Sequence, residues 1–287
     1  MISKGVRYML LATFFFALMN VFVKTIKHIP AVEIVFFRSL VSFVLSFVVL
    51  RAQKVNVFGN NKKLLLARGG AGAVALILYF ITLQRIPLAS ALTIQFLSPI
   101  FTTILGIYIV KEKVKPLQWL FFGLAFLGIL FIQGFDQRIT YGFLLIGIIS
   151  SVFSGLAYNV IRKLNTSEHP LVIVFYFPLV TLPLTGIYCL FDWEQPSLLD
   201  LGILILIGTL TQFAQYFMTK SYQSEEISKI ASLKYIGIIY ALSFGYVFFG
   251  ETFNLMTYFG MVVVLVGVFL NVWYKQSLSK KATPKAA

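Results

Sequence analysis

The chain has 287 residues, of which 59% are hydrophobic and 12% charged, with a mean hydropathy of +0.89. Soluble domains carry roughly 45–50% apolar and about 25% charged residues, so a water-soluble globule is excluded, and the lone Cys189 excludes an intrachain disulfide scaffold. A net charge of +14 would suit nucleic acid only if the cations formed a contiguous basic face; here they cap the ends of apolar runs.

Those runs are near 20 residues long, the length a helix needs to cross ~30 Å of hydrocarbon. They place ten transmembrane helices at 6–24, 31–50, 64–84, 88–110, 116–133, 141–161, 170–190, 199–220, 227–249 and 255–274. The loops left over are too short for a separate soluble domain. Lys4 and Arg7 precede the first run, but no small-residue cleavage site follows, so it reads as a span and not as a leader. Pro30, Pro87, Pro116, Pro170 and Pro196 fall at or before helix starts, where a missing N–H is harmless. Pro99, Pro178 and Pro183 lie inside spans and are expected to kink them.

In chain order, the first helix carries Asn20 and Lys24, one turn apart on a shared face. Either Asn20 hydrogen-bonds a substrate and Lys24 guards the outer entry, or Asn20 ties helices together and Lys24 is an interface anchor. The second helix carries Glu33 near its outer end and Arg38 about 12 Å below that surface at ~1.5 Å per residue. An Arg38–Glu33 bridge is disfavoured, because five residues at ~100° each set the two about 140° apart. Tyr79 follows in the third helix. In the fourth, Gln95, Ser98 and Thr102 form a polar stripe beside Pro99, which suits a cavity wall or interhelical bonding equally. Asn159 and Lys163 in the sixth helix repeat the Asn20–Lys24 pair. Gln212, Gln215 and Tyr216 follow in the eighth. In the ninth, Lys234 sits about 10 Å from the inner surface by the same rise, with Tyr235 beside it.

An ionisable group at the span centre costs at least ~2.5–3.5 kcal/mol on insertion scales, so each needs a reason. Arg38 and Lys234 approach the midplane from opposite sides with no acid expected at comparable depth, and such a pair favours an anionic group on a substrate. Glu112 and Glu251 each follow the fourth helix of a half and are read as carboxylates steadying unpaired helix N–H groups.

Charge counting sets orientation. With both termini cytoplasmic, the outside holds Lys24, Lys27, Arg85 and Arg138, and Arg38, Lys229 and Lys234 fall within spans. The other 17 of the 24 Lys and Arg lie inside. Trp119, Trp193, Trp273 and Tyr274 fall near the expected interfaces, where amphipathic rings settle.

A gapless offset of 139 residues aligns the two halves: Asn20 with Asn159, Lys24 with Lys163, Gln84 with Gln223, Glu112 with Glu251 and Gly128 with Gly267. Matches at such scarce residue types weigh more than the apolar ones. Five spans per half, an odd number, reverse the second half in the bilayer and make the repeats inverted.

The run Phe15-Phe16-Ala17-Leu18-Met19-Asn20, then Lys24, Glu33 and Phe36-Phe37-Arg38, closes its half with Lys111-Glu112-Lys113, Pro116-Leu117-Gln118-Trp119-Leu120 and Gly128. Gly250-Glu251 and Gly267 close the second half at the same spacing. In this the chain resembles the drug/metabolite transporter superfamily, in its EamA-type ten-helix branch. The resemblance implies an all-α membrane protein of two inverted five-helix repeats, at 1–138 and 139–274, with a basic cytoplasmic tail at 275–287. It implies a secondary transporter, monomeric or homodimeric, in the cytoplasmic membrane, with a central cavity lined by the first four helices of each half. Phe177 and Pro178 stand where Arg38 and Ser39 stand in the first half, so unequal contributions to binding are expected. Asn20, Arg38, Tyr79, Gln95, Asn159, Gln215, Lys234 and Tyr235 are the expected substrate-binding residues.

Signatures of catalysis, metal-ligand clusters and phosphate loops are missing from the sequence, so no cofactor or metal is expected and the chain reads as no enzyme. The alternative of another class is a membrane-embedded enzyme acting on a lipid-linked substrate. Family cargo spans amino acids, S-adenosylmethionine, riboflavin and drugs.

Overall fold

The structure, a computed structural model, describes residues 4–111, 114–164, 167–224, 233 and 235–282. Among the described residues the regular elements are all helices. They are α1 (Lys4–Thr25), α2 (Ala31–Ala52), α3 (Lys62–Arg85), α4 (Leu88–Gln95), α5 (Ser98–Ile109), α6 (Pro116–Phe135), α7 (Tyr141–Leu164), α8 (Pro170–Cys189), α9 (Leu198–Ser224), α10 (Ile236–Phe249) and α11 (Leu255–Ala282). Among the described residues nine apolar helical stretches are long enough to cross a membrane, counting α4 and α5 together, and α10 is a shorter tenth. In a bilayer core each backbone N–H and C=O must be satisfied within its own segment, and helices do this.

Prolines mark the starts as expected: Pro30 and Pro87 occupy the cap positions of α2 and α4, and Pro116 and Pro170 open α6 and α8. The fourth expected helix is not continuous. Pro99 has no N–H to give Gln95, and the chain tightens into a turn in which Leu97 N–H donates to Ile94 O at 3.0 Å before α5 begins at Ser98. Pro178 and Pro183, by contrast, stand inside an unbroken α8. In the ninth expected helix α10 begins at Ile236, and residues 225–232 and Lys234 lie outside the described residues.

The main packings come in sets related by exchanging the two halves. α1 packs on α9 as α7 packs on α3; α2 meets α8; and α6 meets α11. The same exchange relates α5 on α7 to α10 on α1, and α3 on α8 to α9 on α2. This is the arrangement that the 139-residue offset implies for two similar bundles.

Close approach relies on small residues, since helices in lipid are not driven together by a hydrophobic effect. At the α6–α11 contact a Cβ on Gly128 would stand 2.7 Å from Gly260 O, and one on Gly267 would stand 2.8 Å from Phe121 O. Outward faces carry large apolar side chains, including Val48, Leu130 and Val247, which are 57%, 62% and 70% exposed. Only a lipid environment accommodates such a belt.

The glycine contact generates a prediction. Gly128→Val forces branched atoms against the backbone of α11, and overpacking of this kind costs about 1–3 kcal/mol. The purified variant should melt below the wild type; equal melting would show that α6 and α11 are not held in this contact.

Candidate functional site

The main cavity, about 470 Å³, lies between α1, α2, α3, the α4–α5 break, α7, α9, α10 and α11. That volume falls within the range of small-molecule sites. Along α1 its wall runs from Met9 to Asn20 and stops one turn short of Lys24, and from α9 and α11 it takes Gln215, Met218 and Val272. It therefore lies toward the end of the bundle that carries both chain termini. The walls are largely apolar and aromatic, with Phe16, Phe80, Phe96 and Tyr158 among them.

Six of the expected residues stand on this wall: Asn20, Arg38, Tyr79, Gln95, Gln215 and Tyr235. Asn159 does not. Its amide Nδ2 donates to Thr102 O at 2.8 Å and Gly155 O at 3.0 Å, tying α7 to α5, so its surroundings are those of a helix-to-helix fastening. Lys234 lies outside the described residues, as does Glu112. Gln95 lines the cavity and is tied to α7: its Nε2 donates to Ser154 Oγ at 2.8 Å, and its Oε1 lies 3.1 Å from the Ser150 hydroxyl, which it shares with Ala75 O. Tyr235 stands at the start of α10, edge-on to Phe96 at 5.1 Å between ring centroids. Both rings thus sit beside helix ends that face the cavity.

Asn20 Oδ1, Arg38 Nη1 and the Tyr79 hydroxyl are buried polar atoms without a well-formed hydrogen bond among the described residues, the Asn20 side chain and the Tyr79 hydroxyl standing beside each other. Buried polar groups are ordinarily paired, so three orphans on one cavity wall call for an explanation. Arg38 is 5% exposed. Its Nε donates to Thr211 Oγ1 at 3.1 Å, and its guanidinium lies 5.9 Å from the Phe80 ring centroid and 5.7 Å from that of Phe177. Among the described residues no carboxylate pairs with it. Glu33 is buried and turns elsewhere, accepting the Glu194 N–H at 3.1 Å.

A smaller void of about 40 Å³ shares Arg38 and Gln215 with the main cavity and adds Ser42, Ser46, Thr211, Gln212 and Arg68. Charge counting put Arg68 among the inside anchors. In the structure it stands two turns into α3, its guanidinium 4.7 Å from the Phe177 ring centroid and its Nε and Nη1 buried without partners. Its neighbours Lys62 and Lys63 disguise it as one more interface cation. The signal that points to it is Gly72, one turn on: a Cβ there would meet Arg68 Nη1 at 2.7 Å and the Phe177 ring at 2.9 Å.

The other end of the bundle is sealed. Lys24 is no interface anchor: its ammonium pairs with Glu251 Oε1 at 2.7 Å and donates to Ile86 O at 2.5 Å. Glu251 Oε2 accepts the Leu88 N–H at 2.8 Å. The carboxylate thus caps a helix start, but that of α4 in the opposite half rather than the helix following it in sequence. Ile26, Ile29, Leu83, Ile86 and Leu88 pack around this cluster in the largest core.

The model of the EamA-like transporter family matches residues 3–134 and again residues 141–273. The chain belongs to this family. The pseudopaline exporter CntI of Pseudomonas aeruginosa (strain UCBPP-PA14) is 31% identical over 273 residues, 93% of this chain and 95% of that protein. The S-adenosylmethionine uptake transporter of Rickettsia prowazekii is 23% identical over 202 residues, 68% of this chain and 67% of its own. A crystal structure 14% identical in sequence shares the fold with a TM-score of 0.64, covering 96% of this chain and 97% of that one. The EamA-like protein is accordingly a multi-pass membrane transporter, and its family and relatives are named as transporters rather than enzymes.

The seal generates a prediction. Removing one partner of a buried ion pair leaves an uncompensated charge and costs about 3–5 kcal/mol. Lys24→Met should lower the melting temperature of the purified protein clearly, and adding Glu251→Gln should recover part of the loss. If the Lys24→Met variant melts as the wild type does, the pair does not close this end.

Proposed function

We propose that this protein is a secondary carrier that moves a small metabolite bearing an anionic group across the cytoplasmic membrane by alternating access. The observation that carries the reading is the set of buried, unsatisfied polar atoms of Asn20, Arg38 and Tyr79 on one cavity wall. A carboxylate or phosphate on the cargo supplies the acceptor that the Arg38 guanidinium lacks, and charge-assisted bonds to guanidinium are the strong ones. Asn20 and Tyr79 offer neutral donors and acceptors beside it. The aromatic remainder of the wall suits a flat apolar portion of the same molecule.

Alternating access follows from the repeats. Two bundles of opposite orientation, one spanning 1–138 and the other 139–274, rock against each other around a fixed site near the midplane. The exchange-related packing and the twofold family match support that division. With both termini cytoplasmic, as the charge asymmetry requires, the cavity faces the cytoplasm while Lys24 and Glu251 close the outer end. In the alternate state that cluster parts and the inner end closes. Asn20, Arg38, Tyr79, Gln215 and Tyr235 are the proposed contacts, with Gln95 holding the wall in place. The cavity is lined within one chain, which suits a monomer or a homodimer of such chains.

The test is uptake into proteoliposomes of a panel of labelled compounds carrying a carboxylate, S-adenosylmethionine and the amino acids among them. For whichever compounds the wild type accumulates saturably, Arg38→Ala should cut initial uptake at least tenfold while membrane insertion and helix content stay unchanged. Transport by Arg38→Ala at the wild-type rate would remove the anionic group from the account.

A further inference from the structure

We propose that Arg38 and Arg68 together form a carboxylate-binding subsite between α2, α3, α8 and α9, adjoining the main cavity at Arg38 and Gln215. The proposal rests on the reading of that cavity as the cargo path and adds the place where the anionic group is held. Both guanidinium carbons lie within 6 Å of the Phe177 ring centroid, and each like charge is near enough to feel the other. Together they leave three guanidinium nitrogens buried and unpartnered: Arg38 Nη1, Arg68 Nε and Arg68 Nη1.

No acid relieves this repulsion among the described residues. Glu33 binds the Glu194 N–H, Glu168 the Asn60 N–H, Glu251 pairs with Lys24, Asp136 with Arg138 and Asp200 with His28. Arg38 buried and Arg68 half-buried, sharing an aromatic ring with no counter-ion among the described residues, are costly in hydrocarbon. The ring offsets only part of that, since a cation–π contact is worth about 0.5–2 kcal/mol. The free N–H groups are divided between the two guanidinium groups, and the two oxygens of a carboxylate can take one from each, which a spherical ion cannot do. The void of about 40 Å³ admits about three water-sized groups, at ~10–15 Å³ each. That is room for a carboxylate head and none for a ring, so anything attached to the head must extend past Arg38 into the main cavity. Gly72 makes the arrangement possible by leaving space for the Arg68 stack on Phe177.

The experiment is thermal melting of the full-length purified protein titrated with sodium formate, butyrate and benzoate, at constant ionic strength balanced with sodium chloride. The wild type should show a saturable rise in melting temperature. Arg68→Gln should weaken the apparent affinity at least tenfold while melting no lower than the wild type without probe, because it removes one of two like charges that repel. Gly72→Ala, which displaces the Arg68 stack and keeps both charges, should weaken binding too, and it gives the answer should Arg68→Gln not fold. Benzoate binding tightest means that the group arrives on a larger molecule lying in the main cavity. Formate tightest with benzoate excluded means that the same site takes a free carboxylate. Wild-type affinity in both variants, or no saturable rise in the wild type, overturns the subsite. Wild-type affinity in both variants while Arg38→Ala abolishes uptake overturns the subsite and leaves the carrier reading standing. Lost binding in Arg68→Gln with normal uptake by Arg38→Ala keeps the site and removes the anionic group from the proposed cargo.

Discussion

A charge buried in hydrocarbon has to be met by another charge, and the bundle meets this demand at one end only. Lys24 has Glu251, held in turn against the Leu88 N–H at the start of α4. Arg38 and Arg68 have an aromatic ring, a threonine hydroxyl and no acid among the described residues. Paired charge closes a passage because the pair is stable only while its helices stay together. Unpaired charge beside a cavity does the opposite, since it becomes stable only when something anionic enters. In the proposed mechanism the difference between these two clusters, rather than any single residue, gives the transporter a closed end and a receptive middle.

Backbone chemistry sets the rest of the site. Pro99 removes an N–H that an unbroken fourth span would need, and the freed turn at Phe96 and Leu97 lies where it borders the cavity instead of lipid. Irregular backbone at membrane depth is tolerated in such a place. Tyr235, at the position that the 139-residue offset pairs with Phe96, precedes α10 and packs edge-on against that ring. The two halves thus bring their helix ends together at one site, the usual location of binding in carriers built from repeats. The walls are nonetheless unequal: α1 to α5 supply most of the lining, while α8 contributes to the smaller void only, through Val174, Phe177 and Pro178.

Much of the architecture could be read from the sequence because lipid imposes a length and a composition on each span. The ten apolar runs, the proline-marked starts and the duplicated Asn, Lys and Glu positions all follow from that constraint. Depth was legible as well, which is why Asn20, Arg38, Tyr79, Gln95, Gln215 and Tyr235 could be placed near the cavity. Pairing was not. Asn159 resembles Asn20 in every local respect, down to a buried unpartnered Oδ1, yet its Nδ2 is spent on Thr102 and Gly155 and it stands off the cavity wall. Lys24 looks like an interface anchor until Glu251, more than 200 positions away, closes on it. Arg68 follows two lysines and counts as one more inside charge, and only the glycine one turn later hints that its guanidinium turns into the protein. Which partner a polar side chain meets depends on tertiary contacts that periodicity does not encode.

The central claim is that the cavity carries uncompensated positive charge and is reached in turn from both faces of the membrane. Cysteine accessibility tests both parts without knowledge of the cargo. Ala17, on the cavity wall, is replaced by cysteine in a Cys189→Ser background and challenged from either side with thiol reagents of equal size, one bearing a sulfonate and one a quaternary ammonium. The account predicts modification from both sides, with the sulfonate reagent reacting at least tenfold faster and the preference vanishing in Arg38→Gln. Modification from one side alone, or a preference for the cationic reagent, would contradict it.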